Sequence, residues 1–162
     1  MRARLDYMAT LPEAFKPLLK LSDLAHNSGL EPAIVNLIEI RASQINRCGY
    51  CLDMHTKDAR SAGETEQRIY GLNAWRDTPY YNQRERLALE LTEVLTQIAL
   101  NHVADEFYQR LLGAFSESEL VKLVTAISTI NMWNRFAITF QSDAGSYKTE
   151  HFVAQTALEK TH

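Results

Sequence analysis

"RASQINRCGYCLDMHTKDARSAG", residues 41–63, contains both cysteines of the 162-residue chain and a histidine four positions after the second cysteine. On a helix, Cys48, Cys51 and His55 are spaced i, i+3 and i+7 and fall within one narrow stripe. Cys48 is expected in the first turn, where the helix dipole and free N–H groups stabilise a thiolate. His55 is the i+4 neighbour of Cys51 and can take the proton of that thiol. The spacing favours a two-thiol redox site, in which one cysteine attacks an oxidant and the other completes a disulfide.

Three other interpretations of the cysteine pair stay open at this point. A structural disulfide is rare in a reducing compartment. A zinc site needs about four ligands, and the stretch supplies three, with His102 as a candidate fourth. Two inert core cysteines are the third alternative. Attached haem of the c type is excluded, because Leu52 rather than a histidine follows the second cysteine.

Composition places the chain among helical globular proteins. Hydrophobic residues make up 46% of it and charged residues 23%, with only 6 Gly and 4 Pro. The net charge of -3, without a basic cluster, argues against nucleic acid as a partner. No apolar run approaches the roughly 20 residues that span a bilayer, so we expect no membrane association and a cytoplasmic location.

Apolar periodicity predicts helices along most of the chain, with no linker that would divide it. Asn46 is a plausible N-cap for the helix that carries the cysteines, and Gly63 is expected to end that helix. The spacing of Ser116 and Glu119 is typical of a capping box. "SQIN" at residues 43–46 recurs as "STIN" at residues 128–131, and we expect both segments at the end of an apolar helix. Helices are predicted at residues 12–26, 31–45, 48–61, 83–100, 103–115 and 116–140. A short segment at residues 64–78 lies between the third and fourth of them.

The motif "IRASQINRCGYCLDMH", Ile40 to His55, resembles the LRxSQxNxCxxCxxxH signature of the carboxymuconolactone decarboxylase-like superfamily, in its alkylhydroperoxidase D-like (AhpD-like) branch. The similarity continues through "TKDARSAGETEQRIYGLNAWRDTPYYNQRERLALELTEVLT" and "HVADEFY". It extends into "FSESELVKLVTAISTINMWNRFAITF", so it covers about residues 11–140. The signature in this flanking context is specific.

This resemblance implies an all-α bundle whose helices are completed by packing in a dimer, trimer or hexamer. We expect one domain over residues 1–162, with a core at about 11–140 and a tail at 142–162 that is exposed or docked on a partner subunit. The family's activity is thiol-dependent reduction of peroxides, with no metal or organic cofactor. Carried onto this chain, it makes Cys51 the attacking residue, Cys48 the resolving residue and His55 part of a proton relay.

The chain departs from the family pattern at two positions. Asn36 stands where the family usually has a glutamate, twelve residues before the first cysteine, and an amide cannot exchange protons as a carboxylate does. Glu39 lies one turn along the same side of the helix and is either a substitute in the relay or an ordinary surface charge. Tyr50 replaces a histidine found in the founding peroxidases, and its wheel angle points away from the cysteine stripe, which indicates packing. We assign no role to His26.

The expected function is therefore a peroxidase that acts on organic or hydrogen peroxides with a thiol–disulfide electron donor. Two alternatives remain. One is a non-enzymatic oligomer that senses redox state through its disulfide. The other is a decarboxylase of lactone acids, against which the intact cysteine pair argues.

Overall fold

Helices account for all the regular secondary structure of residues 3–149, the part of the chain that the computed structural model describes. None of the helices in this range is long and apolar enough to cross a membrane. The prediction of an all-α fold is confirmed, and a short N-terminal helix that was not predicted precedes the others. The elements are α1 (Tyr7–Thr10), α2 (Pro12–His26), α3 (Pro32–Asn46), α4 (Gly49–Ser61), α5 (Glu66–Gly71), a 3-10 helix (Leu72–Asp77), α6 (Gln83–Thr96), α7 (Asp105–Leu112) and α8 (Glu117–Phe140).

Helix α3 is the centre of the bundle. It packs against α2, α4, α6, α8 and the 3-10 helix, and every residue from Ile34 to Ile40 is buried. Ile34 and Ile38 join a core formed with α2, α6, α7 and α8, whereas Leu37 and Ile40 join a second core under α5 and the 3-10 helix. A helix with neighbours on all sides is apolar around most of its circumference. Polar side chains on α3 are therefore enclosed.

Aromatic packing fixes α2 beside α8. The rings of Phe15 and Phe136 lie 4.8 Å apart in an edge-to-face arrangement. The indole N–H of Trp133 donates to the hydroxyl of Ser22 at 2.7 Å. These contacts hold the C-terminal end of α2 against the bundle, where the last residue of the helix is His26.

Capping side chains start the two long helices that follow the cysteine region. Ser116 and Glu119 form the predicted capping box at the start of α8. Asn82 and Glu85 form a second capping box at the start of α6. Both boxes satisfy backbone N–H groups that have no partner within the first turn.

The connection between α3 and α4 is two residues long and differs from the prediction. Asn46 is the last residue of α3 and not the N-cap of α4. Arg47 takes a left-handed conformation with φ 58°, which turns the chain, and Cys48 is the N-cap of α4. Gly63, with φ 96°, follows the C-cap of α4 as expected.

An amide network joins the end of α3 to α8. The side-chain N–H groups of Asn46 donate to the carbonyl oxygens of Asn131 at 2.9 Å and Asn134 at 2.8 Å. The amide of Asn134 donates in turn to the hydroxyl of Ser43 at 3.1 Å. The two asparagines that end the repeated "SQIN" and "STIN" segments therefore contact each other. The side chain of Asn46 is hydrogen-bonded to α8, which explains why it does not cap α4.

The chain beyond α8 runs back over α4. Residues 142–149 form no helix, and the hydroxyl of Tyr147 donates to Asp58 on α4 at 2.8 Å. The prediction of an exposed or docked tail at 142–162 lies mostly outside the described residues.

Candidate active site

The two cysteines meet at the start of α4. Their sulfur atoms lie at disulfide-bonding distance, and their Cα atoms are 5.3 Å apart. Cys48 was predicted in the first turn of α4, but it occupies the N-cap. Its sulfur accepts a hydrogen bond from the Cys51 N–H at 3.3 Å. Both sulfurs are therefore next to the positive end of the helix dipole, which favours negative charge there.

Both cysteines are enclosed, because the exposed fraction is 1% for Cys48 and 2% for Cys51. Ala137 of α8 and the partly buried ring of Tyr50 pack against them. The prediction that Tyr50 is a packing residue is consistent with this contact. Its ring packs against the cysteine cluster, so the prediction that it points away from the cysteine stripe is wrong.

His55 lies one turn beyond Cys51 on α4 and is buried. Its Nδ1 atom is 3.1 Å from Oε2 of Glu39 on α3. Its Nε2 atom is buried and has no hydrogen-bond partner among the described residues. In a neutral imidazole whose Nδ1–H donates to a carboxylate, Nε2 carries the free lone pair and can accept a proton.

Glu39 connects the site to a third helix. The carboxylate is buried, so the interpretation of Glu39 as a surface charge is wrong. Oε2 accepts from His55, and Oε1 lies 3.0 Å from Nε2 of His26 on α2. Burial alone would raise the pKa of Glu39, but the charge of His55 and the hydrogen bonds from His26 and His55 lower it to about 2. Glu39 is therefore ionised at neutral pH.

His26 is the site residue that sequence reasoning missed. It lies on α2, and the helical spacing that grouped Cys51 with His55 cannot relate residues on different helices. Its hydrogen bond to Glu39 raises the pKa of His26 against the opposing effect of partial burial, and the charges of Glu39, Asp58 and Asp23 act in the same direction. The only local signal is its place in the last turn of α2, where the helix dipole favours a cation.

The other sequence candidates lie apart from this chain of contacts or lack its chemistry. Asn36 is buried on α3, one turn before Glu39, and carries an amide that cannot take up a proton at neutral pH. His102, the candidate fourth zinc ligand, is exposed in the loop between α6 and α7. Within residues 3–149, no three or more His, Cys, Asp or Glu side chains are grouped so that they could hold a metal ion.

Comparison with known proteins places this geometry in a family. The model of the carboxymuconolactone decarboxylase family matches residues 12–94. The uncharacterized protein YdfG of Bacillus subtilis (strain 168) is 42% identical over 146 residues, which cover 90% of this chain and 99% of that protein.

Solved structures give the same result. The crystal structure of ATU0492 from Agrobacterium tumefaciens, a protein of unknown function with a suggested AhpD antioxidant defence role, is 39% identical. It superposes with a TM-score of 0.85 over 90% of this chain and 100% of that chain. A peroxidase-related protein from Ralstonia eutropha JMP134, described as an alkylhydroperoxidase AhpD core, shares the fold with a TM-score of 0.75 at 17% identity, over 86% and 74% of the two chains. The chain therefore belongs to the carboxymuconolactone decarboxylase family, and its structure has the AhpD-like fold.

Proposed function

We propose that the protein is a thiol-dependent peroxidase that reduces organic or hydrogen peroxides at Cys51. The observation that carries this proposal is the buried His55 on the same face of α4 as Cys51, with Nδ1 on the ionised Glu39 and Nε2 without a partner among the described residues. A base held in one orientation beside a thiol is the arrangement that activates a cysteine nucleophile. The family membership and the AhpD-like fold support the same chemistry.

The proposed cycle begins with the reduced pair. His55 takes the proton of the Cys51 thiol, and the thiolate attacks the terminal oxygen of ROOH. The O–O bond breaks, Cys51 becomes a sulfenic acid, and the proton on His55 goes to RO⁻ to give ROH. The Cys48 sulfur then attacks the sulfenic sulfur, and the S–S bond forms as hydroxide leaves and is protonated to water by the Cys48 proton. Per turnover, one peroxide and two thiols give one alcohol, one water and one disulfide.

The position of the disulfide supports a reactive role over a structural one. In the chain-entropy model, the stabilisation by a disulfide increases with the logarithm of the number of residues in the loop that it closes. Cys48 and Cys51 are three residues apart, so the pair closes one of the shortest possible loops. An external dithiol donor, the partner that this cycle requires, reduces the disulfide by thiol–disulfide exchange and is itself oxidised. We infer a cytoplasmic location, because dithiol donors of this kind are present in that reducing compartment.

We further propose that the protein works as a homo-oligomer. Val121, Val124, Met132 and Ile138 are exposed apolar side chains that recur along one face of α8, and Leu24 is exposed on α2. An apolar helix face of this kind is usually covered by a partner, and closed symmetric assembly is the common way to cover it.

Steady-state turnover tests the peroxidase. The reduced protein is given hydrogen peroxide or an alkyl hydroperoxide together with an excess of dithiothreitol, and peroxide loss is followed. We expect many equivalents of peroxide to be consumed per protein, with no turnover in Cys51→Ser and full turnover in the control His102→Gln. In Cys48→Ser, a sulfenic acid should be trapped on Cys51 and detected by mass spectrometry.

Two outcomes would contradict the proposal. Consumption of one equivalent and no more, despite the dithiol, would identify the redox-sensing oligomer instead. Faster formation of the sulfenic acid on Cys48 in Cys51→Ser than on Cys51 in Cys48→Ser would reverse the assigned roles.

A further inference from the structure

One buried carboxylate serves two imidazoles from two different helices. Oε1 of Glu39 lies 3.0 Å from Nε2 of His26 on α2, and Oε2 lies 3.1 Å from Nδ1 of His55 on α4. The His26 side chain is 46% exposed, whereas those of Glu39 and His55 are 9% and 7% exposed. Through these two contacts, the half-exposed His26 is linked to the buried His55, which lies one turn after Cys51 on α4.

We propose that His26 is a positioning residue that acts through Glu39: its protonation state decides how strongly His55 is held as an imidazolium and hence the pH range in which Cys51 is a reactive thiolate. The part of this inference that concerns reactivity with peroxide rests on the proposed function. The coupling of His26 to His55 through Glu39 does not.

The physical basis is competition for one negative charge. A carboxylate stabilises an adjacent imidazolium, and a second cation nearby opposes the first. Because Glu39 and His55 are buried, these interactions are screened less than they would be in water. When His26 is protonated, Glu39 is shared between two positive rings. When His26 loses its proton, the full charge of Glu39 acts on His55 and favours proton transfer from Cys51 to His55.

His26 is suited to carry such a signal because it titrates in contact with water. The charged groups that face it are Glu39 from α3, Asp58 from α4 and Asp23 from its own helix. All three are acidic, and His26 lies at the negative end of the α2 dipole. Together they raise the pKa of His26 above its ordinary value, against the opposing effect of partial burial.

Coupling of this kind has a spectroscopic signature. Two interacting groups do not titrate independently, so the signal of each one reports the titration of the other. In the wild-type protein, we expect the 15N signals of the His55 ring to move in two pH steps, one of which coincides with the titration of His26. In His26→Gln, which keeps a side chain able to donate to Glu39, the step that coincides with His26 should disappear. In Glu39→Gln, the two histidines should titrate independently. His102→Gln, at an exposed histidine, is the matched control and should leave both His55 steps unchanged.

A chemical measurement checks the consequence for the thiol. The rate at which iodoacetamide modifies Cys51 is measured against pH in reduced Cys48→Ser protein, with and without His26→Gln. We expect the midpoint of the rate profile to move to lower pH by about 0.5 unit or more when His26 is removed, because Glu39 then serves His55 alone. The midpoint in the His102→Gln control should not move.

The results separate this inference from the peroxidase proposal. A wild-type His55 signal that does not respond to the titration of His26, or one that is unchanged in His26→Gln, would overturn the coupling, whatever the turnover rate. Two transitions, with a shifted alkylation profile but no peroxide turnover, would support the coupling and refute the peroxidase. The wild-type titration needs no variant, so the coupling can be refuted even if a substituted protein does not fold.

Discussion

At the scale of single residues, the site depends on which of two positions on α3 carries a carboxylate. Asn36 and Glu39 are three residues apart, and both are buried. Glu39 is ionised and contacts both His26 and His55, so it can orient His55 and stabilise its imidazolium. An asparagine at position 36 can orient a neighbour but cannot carry charge. We therefore propose that Glu39, and not the residue at position 36, supplies the carboxylate of the site.

Glu39→Gln should lower the rate of peroxide reduction by about tenfold or more, which is about 1.4 kcal/mol of activation free energy. The reason is that the amide oxygen can accept a hydrogen bond from His55 but cannot balance the charge of an imidazolium there, and general acid–base assistance is worth roughly 10²–10⁴-fold. The value of kcat/KM for hydrogen peroxide, with dithiothreitol as donor, measures the effect.

Asn36→Glu is the matched comparison and should raise kcat/KM little, since the carboxylate that His55 needs is already present. If Glu39→Gln is silent and Asn36→Glu accelerates the reaction, the relay uses position 36 and Glu39 has not replaced it.

Helical spacing was sufficient to group Cys51 with His55. The family pattern singled out position 36, and helical spacing then made Glu39, one turn along the same helix, the candidate substitute. It was not sufficient to find His26. The contact between His26 and Glu39 depends on how α2 packs in the bundle, and residues of another helix, such as Phe136 and Trp133 of α8, contribute to that packing. Apart from the place of His26 in the last turn of α2, the sequence contains no signal for such a contact.

At the scale of helices, the junction of α3 and α4 and its connection to α8 keep the cysteine pair in place. Only Arg47 and Cys48 separate the two helices, and Asn46, just before them, is bonded to two side chains of α8. The start of α4 is thereby tied to the longest helix of the described residues. The position of the disulfide relative to Ala137 depends on these amide contacts.

Asn46→Ala should lower the free energy of unfolding by about 1–3 kcal/mol, because the carbonyl oxygens of Asn131 and Asn134 lose a donor in a buried setting. Urea denaturation followed by circular dichroism measures the change. Asn101→Ala is the control: its side chain donates to the Gln97 carbonyl at an exposed position, and its effect should stay within about 0.5 kcal/mol. Equal effects of the two substitutions would show that the network does not stabilise the junction.

The helices themselves were predictable, but their exact ends at the site were not. Apolar periodicity reports which segments are helical, and the predicted bounds of 12–26 for α2 agree with the structure. Asparagine is a common N-cap residue, but the side chain of Asn46 faces α8. The sulfur of Cys48 caps α4 instead. Local and tertiary partners compete for the hydrogen bonds of one polar side chain, and this competition decides which residue caps the helix. Only the tertiary structure shows which partner the side chain binds.

At the scale of the whole molecule, the bundle leaves one side of α8 open. The opposite side of the same helix contributes Leu123, Ile127 and Ile130 to the main core. A helix with apolar side chains on two faces is typical of an element between two layers, and the described residues supply one of these layers.

The purified protein should therefore have a mass at least twice that of the 18.5 kDa chain in multi-angle light scattering at micromolar concentration. Val124→Glu should shift the mass toward that of the monomer, because a carboxylate on an apolar interface loses its hydration without gaining a partner. Gln109→Glu, on the exposed side of α7, adds the same charge away from the α8 face and should leave the mass unchanged. A monomeric wild-type protein would refute the proposed assembly.

The enclosure of both sulfurs has a kinetic consequence. An oxidant reaches Cys51 only while the side chains around it move apart, so every reaction at this sulfur is gated by an opening motion. If reclosing is faster than the chemistry, the observed rate rises in proportion to the oxidant concentration. If the chemistry outpaces reclosing, the rate levels off at the opening rate itself. A bulky hydroperoxide needs a wider opening than hydrogen peroxide does, so the amplitude of this motion, and not only the chemistry of the thiolate, ranks the oxidants that the protein accepts.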